Sequence, residues 1–534
     1  MPTVHTYDEA SISFTKCDGH VQQIQNRAVT NENGLIRYFE EAIARGDPNR
    51  DLYMARSILV WMSLMSDRRR RRDLPHNMCS LVDENSFLPG TFMELCSAAN
   101  IECQLIMGKA KDITYEPGSN KEILQGVWNS FRCNNVWHLV YTELAVSTVK
   151  GYRRGGEILL ENDGNLAFQT QTANTGYTEA IFNEFWFCTH PRIFSIHAFP
   201  EESSFQYVSS ERVKNENDFK KCAFLQPGFF VTGMTLLTVD ACQMISDKGR
   251  CRITVGCPST VLKDVKFKYK LSFIEGSGEI NADTCMHLTR MVVYSPGMDE
   301  VSFTISLPVK GKYTFSTSVI TPDLSRYWEC FEFRIVCLEV DEHCRNIPTE
   351  VAKTGLGFTH EALNFGLKHP SQTTSTLEVE CADQVPGKTI DLNSIHFRIA
   401  EDRINEVQFA SDYIGDDENI GVSEVRVDHD KGEVVLKAGL KKKGEGVLVL
   451  KGKDKNGGGD FKPVANYIVS SYRNNEADHE RLVKKNKKKV LQASKRDAKE
   501  FRETQLRDSV HSLQREVKQL MSVLNKMSSI HPTK

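Results

Sequence analysis

The 534-residue sequence has no C-x-x-C pair, no H-E-x-x-H, no G-x-x-x-x-G-K-[ST] loop and no EF-hand pattern. It therefore lacks the compact signatures of zinc, nucleotide-phosphate and calcium sites, and no cofactor is implied. No run of 18 uninterrupted apolar residues occurs, so no membrane span is expected. The first twenty residues hold no apolar stretch of leader length, and the expected location is the cytosol. Charge of one sign is also missing: the net value of −3 gives no global attraction to nucleic acid. What is present is an ordinary globular composition, 40% hydrophobic and 26% charged, with room for several domains. The 15 cysteines, in a chain of this size without a leader, are expected to be free thiols packed in cores, including Cys330, Cys337 and Cys344 at intervals of seven.

Residues 1–30 are polar and read as a flexible arm. Leu35, Ile36, Phe39, Ala42 and Ile43, then Met54, Ile58, Val60, Trp61 and Met65, recur at helical spacing and predict two helices. Five arginines at 68–72 follow. They read as a solvated loop, with nuclear targeting or a phosphate contact as the sharper alternative. Residues 92–99 predict a buried helix and 101–107 a strand. Two further strands, 126–131 and 136–142, flank a turn at Cys133, Asn134 and Asn135. Helices first and antiparallel strands after is an α+β order.

From about residue 219 to Tyr472, short runs rich in Val, Ile, Thr, Phe and Tyr alternate with turns, the texture of β-sandwiches. An internal repeat predicts two modules: Gly311 to Ile335 and Gly444 to Ile468 share a spacing of 24, each resembling the last two strands of a sandwich. The expected division is an arm at 1–30, an α+β domain at 31–210, sandwiches at 211–345 and 346–472, and a basic helix at 473–530. The tail from Arg473 carries 16 Lys and Arg against 8 Asp and Glu. Within it Leu506, Val510, Leu513, Val517, Leu520, Leu524 and Met527 alternate by four and three, a short a/d seam. Such a helix gains little from folding alone, so the seam calls for a partner: a second copy, another protein or the chain's own β-modules.

Several N-terminal motifs together resemble the transglutaminase-like core of the kyphoscoliosis peptidase and hillarin family. Ala55-Arg56-Ser57-Ile58 through Trp61 matches its A-R-x-I-x-x-W helix; Phe92, Leu95, Cys96, Ala99 and Ile101 match the second half of its nucleophile motif. Gly108-Lys109-Ala110-Lys111, Val127-Trp128-Asn129 and Trp137-His138-Leu139-Val140 match its following strands, and residues 187–201 its F-L-T-D-P stretch. The resemblance implies a papain-like core followed by β-sandwiches, and cytoskeletal or muscle-associated protein partners.

In that family a thiolate attacks an amide, a histidine relays the proton and an acid orients the histidine. The resemblance lays these roles on Asn85 (Ser86 if the loop shifts by one), Gly126 and Tyr141. Asparagine is no nucleophile, glycine is no base, and a phenol with an ordinary pKa near 10 is no carboxylate. The expectation is a degenerate triad and a non-catalytic scaffold that binds proteins, its tail docking a partner or a second copy. One rival is a thiol hydrolase or transferase rebuilt on Cys79 with His76; His138 is a poor substitute because strand alternation turns it away from position 141. The other is an anionic-surface or nucleic-acid binder using 68–72 and the lysine-rich tail, whose one aromatic residue, Phe501, offers little stacking.

Overall fold

The structure is a computed structural model. It describes residues 12–471 apart from 25–28, 30, 68–81, 83–85, 151, 153–155, 163–164, 172–175, 207–212, 263, 276–290, 298, 308, 325, 341–350, 352–353, 359–361, 363, 369, 373–375, 380–391, 415–420 and 456–458. The basic tail and its a/d seam, the arginines at 68–72, His76, Cys79 and Asn85 all lie outside the described residues.

Among the described residues four helices come first: α1 (Thr15–Gln22), α2 (Glu32–Glu40), α3 (Arg50–Ser66) and α4 (Leu88–Ala98). The Asn31 side chain caps α2 by accepting from the Gly34 N–H. Helix α3 is buried on nearly every side, and Trp61 at its centre is fully enclosed. Pro89 opens the first turn of α4, where a missing N–H does no harm. Asn100, at φ 60°, then turns the chain out of the helix.

The flexible-arm expectation fails for residues 12–24. Phe14, Cys17, Val21 and Ile24 are spaced by three, four and three, which puts them on one helical stripe, and all four are buried in the same core as α3. Their polar neighbours hid this stripe: α1 has a mean composition that reads as surface, yet Asp18 reaches Arg56 of α3.

Three strands follow, β1 (Cys103–Ala110), β2 (Gln125–Cys133) and β3 (Val136–Val140). With the short strand Ala198–Pro200 they form one antiparallel sheet in the order β3, β2, β1, 198–200. Asn134 (φ 52°) and Asn135 (φ 64°) make the two-residue mirror-image turn that joins β2 to β3. The third predicted strand ends two residues early. The chain leaves β3 at Tyr141 and enters a helical turn, Thr142–Val146, because the Thr142 hydroxyl donates to the buried Asn129 Oδ1 at 2.5 Å and the Ala145 N–H closes on Tyr141 O.

Most of the remaining described residues lie in β-strands. In the first sandwich, Thr235–Leu236, Arg250–Gly256, Glu300–Ser306 and Val292–Pro296 form one sheet. Gln243–Ile245, Trp328–Cys337, Gly311–Ile320 and Lys266–Glu275 form the other, with Phe224–Leu225 also on Trp328–Cys337. Strand Glu300–Ser306 buries alternate residues, so one face is core and the other is not. Phe303, Phe315, Phe331 and Phe333 fill the space between the sheets.

The second sandwich repeats this plan strand for strand. Its sheets run Leu367–Lys368, Asn393–Ile399, Glu433–Leu440, Gly421–Asp428, and Thr376–Glu378, Lys462–Ser470, Glu445–Asp454, Val407–Ile414, with Gly357–Phe358 on Lys462–Ser470. Even the parallel pairings correspond: Gln243–Ile245 with Trp328–Cys337, and Thr376–Glu378 with Lys462–Ser470. The two segments of the sequence repeat are the last hairpin of each sandwich.

Every cysteine among the described residues is a free thiol, and all but Cys103 and Cys251 are buried. No helix among the described residues is long and apolar enough to cross a membrane.

Candidate functional site

Strand alternation gives the two faces of β2 different work. Asn129 and Phe131 face the helices. Phe131 packs edge-on against Phe92 of α4, and Asn129, fully buried, donates to Pro89 O at 3.0 Å, which anchors the first turn of α4 on the sheet. Gly126 and Trp128 face the other way, into a cluster with Ile106, Ala110, Leu139, Tyr141, Trp186 and Phe194.

Two of the three sequence-predicted positions converge on that second face. A Cβ placed on Gly126 would lie 3.0 Å from the Tyr141 hydroxyl oxygen and 2.4 Å from the Ala110 Cβ. The space in which a side chain at 126 would stand is therefore taken by the phenol and by β1. Tyr141 is itself held by rings, with centroids 6.4 Å from Trp128, 5.6 Å from Trp186 and 6.1 Å from Phe194. Burial, followed by the carboxylates of Glu143 and Asp112, pushes its hydroxyl well above the usual range, so it stays a neutral phenol. The third position is represented by its alternative, Ser86. That residue is half-buried just before α4, the helix whose first turn rests on the opposite face of β2. Next to it Phe87 is 52% exposed, and its ring lies where a side chain at Gly90 would go, 2.7 Å from a Cβ there.

The remaining candidates are spent on packing. His138 is buried and stacks on Phe131, 5.3 Å between centroids, so it points away from Tyr141 as alternation requires. Cys96 is fully enclosed in α4; burial first, then the neighbouring Cys103, pushes its thiol far up. Cys17 is pushed up to about 12 and Cys133 to about 11, again by burial first. Wherever a described cysteine departs from its ordinary value the change is upward, the reverse of what a nucleophilic thiolate needs. Among the described residues no group of three or more His, Cys, Asp or Glu side chains is placed to hold a metal ion.

The sequence motifs also conceal a polar hub. Arg56 is 4% exposed and donates to both carboxylate oxygens of Asp18, at 3.1 and 2.8 Å, and to Glu184 at 2.9 Å. The signal that could have found Asp18 was the apolar stripe of α1 around it; Glu184, 128 residues further on, left none.

The family model described as "KY-like, immunoglobulin-like domain" matches residues 216–348, the first sandwich, and so defines the class of that module. Hillarin of Drosophila melanogaster is 23% identical over 310 residues, 54% of this chain and 35% of that protein. The Lim and transglutaminase domain protein ltd-1 of Caenorhabditis elegans is 22% identical over 61% of this chain and 46% of its own length. Human kyphoscoliosis peptidase is 22% identical over 43% of this chain and 34% of its own. The chain is similar to hillarin and kyphoscoliosis peptidase, and it spans less than half the length of these relatives. Among solved structures, a marsupial T cell receptor aligns at a TM-score of 0.14 and 13% identity over 44% of this chain and 73% of that one, a score from which no shared fold follows.

Proposed function

We propose that this chain is a transglutaminase-like protein without thiol chemistry, working as a scaffold that binds protein partners, cytoskeletal ones by kinship. The single observation that carries this reading is the filling of the space beside Gly126. A general base there would have to occupy volume that Ala110 and the Tyr141 hydroxyl already hold. On this reading the N-terminal unit is a papain-like core. Helix α4 follows the nucleophile position, β2 and the end of β3 carry the other two, and all three roles are lost. Trp61, Trp128 and Trp137 then keep the core folded. The name of the nematode relative contains the words transglutaminase domain, which supports the kinship of that core. The duplicated sandwiches supply further surfaces, and the tail docks a partner or a second copy.

The purified full chain is expected to neither cross-link nor deamidate glutamine substrates, and to cleave no peptide. Measured turnover that thiol alkylation abolishes would overturn the reading and return attention to Cys79. The tail makes a separate prediction. Light scattering on the full chain and on a version ending at Tyr472 should give different stoichiometries if the seam joins two copies. Equal monomers would leave the seam to a different protein or to the chain's own modules.

A further inference from the structure

Lys111 lies one residue beyond β1, at the end of the Gly108-Lys109-Ala110-Lys111 motif, and the scaffold reading gives it no task. Its backbone N–H donates to His197 O at 2.8 Å, which fixes where its side chain starts. The side chain runs into the seam between the N-terminal unit and the first sandwich and is only 3% exposed there. Its Nζ sits 4.6 Å from the Phe219 ring centre, 5.0 Å from that of Tyr115 and 5.9 Å from that of Phe224. Among these rings lies the Cys222 thiol, its Sγ 3.3 Å from Nζ and 4% exposed. Cys222 follows the short helix Glu216–Lys221 and is held by donating to Phe219 O. An amine and a thiol at that distance, both shut away from water and anchored on different units, are placed for a covalent bond.

We propose that Lys111 and Cys222 form an oxidant-triggered sulfenamide, a covalent bond between Nζ and Sγ that fastens the N-terminal unit to the first sandwich. The co-reactant is a peroxide. Sulfur attacks one peroxide oxygen, the O–O bond breaks, and the departing oxygen leaves as water with the thiol proton; the sulfur is now a sulfenic acid. The Lys111 amine, after its ammonium gives up a proton to solvent, attacks that sulfur, the S–O bond breaks, and the hydroxyl leaves as a second water with an amine proton. Sulfur has lost two electrons and the peroxide has gained them. The amine competes well because it is held against the sulfur, which raises its effective concentration far above that of any group in solution. A competing thiol is Cys242, which is pushed up by burial, drawn down in part by Lys111, and occupied in donating to Lys220 O. The two bonded residues are 111 positions apart, so the link closes a long loop and restricts the unfolded chain.

The test uses the full chain, purified under reductant, exposed to hydrogen peroxide, alkylated and digested without reduction. Peptide mass mapping is expected to find the Lys111 and Cys222 peptides joined, with the summed mass less two hydrogens. The joined species should be absent without peroxide, released by a thiol reductant and missing from Lys111→Arg. The first thermal transition of the oxidised chain should rise by a few degrees and fall back on reduction. Recovery of Cys222 as a disulfide with Cys242, or as its sulfinic acid with the Lys111 peptide unmodified, overturns the proposal. Because the mapping is read on the unsubstituted chain, it stands even where Lys111→Arg does not fold.

Discussion

Replacing Arg56 with alanine should destabilise the N-terminal unit by about 3 kcal/mol, the lower end for breaking a buried ion pair from one side. Burial by itself would lower the guanidinium's affinity for its proton. The hydrogen-bonded carboxylates of Asp18 and Glu184 reverse that and hold it above its ordinary value. Phe14, Phe182 and Phe187 add their faces, with ring centres 4.7, 4.3 and 5.5 Å from the guanidinium carbon. The alanine variant loses all of these contacts and leaves Asp18 partly enclosed without its partner. The lower end of the range is appropriate because Glu184 is 59% exposed and can be rehydrated. Four of the five tryptophans, Trp61, Trp128, Trp137 and Trp186, lie in this unit, so denaturant unfolding followed by their fluorescence isolates its transition. A change below about 1 kcal/mol, the ordinary worth of a surface pair, would show that the hub is not buried as described.

The second large effect is expected at Gly126. Writing histidine there restores the residue type that the resemblance expects but not a site for it. The new Cβ alone would press on Ala110, 2.4 Å away, before the ring found any room. The expected cost is up to ~3 kcal/mol, the scale of overpacking a filled core. Adding Tyr141→Asp vacates the phenol but leaves Ala110, and exchanges a buried ring for a carboxylate among Trp128, Trp186 and Phe194. Neither variant, even with Ser86→Cys, is expected to acquire glutamine transamidation. Stability is read by unfolding midpoint and activity by amine incorporation. A stable, active triple variant would overturn the proposal that a filled cleft keeps this chain from thiol chemistry.

Much of the plan was legible in the sequence because it depends on short-range periodicity. Leu35 to Phe39 and Met54 to Met65 carry a helical stripe that nothing interrupts, and both helices appear where predicted. Asn134 and Asn135 tolerate positive φ better than other side chains, which makes the β2–β3 turn readable from two letters. The repeat at Gly311 and Gly444 pointed to the matching last hairpins, since alternation with a common spacing survives divergence. The helix at residues 15–22 was missed because its two buried residues, Cys17 and Val21, with Phe14 and Ile24 flanking it, are diluted by Thr, Lys, Asp, Gly and His, and only a partner surface makes that stripe apolar enough to bury. The end of β3 was placed too late because the hydrogen bond that ends it, Thr142 to Asn129, spans 13 residues.

By itself, then, the sequence determined the types of α2, α3, β2 and β3, the resemblance to hillarin and kyphoscoliosis peptidase, and the identities at the expected catalytic positions: glycine and tyrosine stay glycine and tyrosine in any fold. Only tertiary structure decided what those identities do. It brought residue 141 against residue 126 and set Ala110 against the same face of residue 126. It turned Arg56 from a motif letter into a buried hub with partners 38 and 128 residues away, and it set Lys111 against Cys222 across two units. The physical reason is one of range. Periodicity and turn preference are encoded within a few residues, whereas contact between distant side chains depends on how whole elements pack, and no local stretch of sequence carries that information.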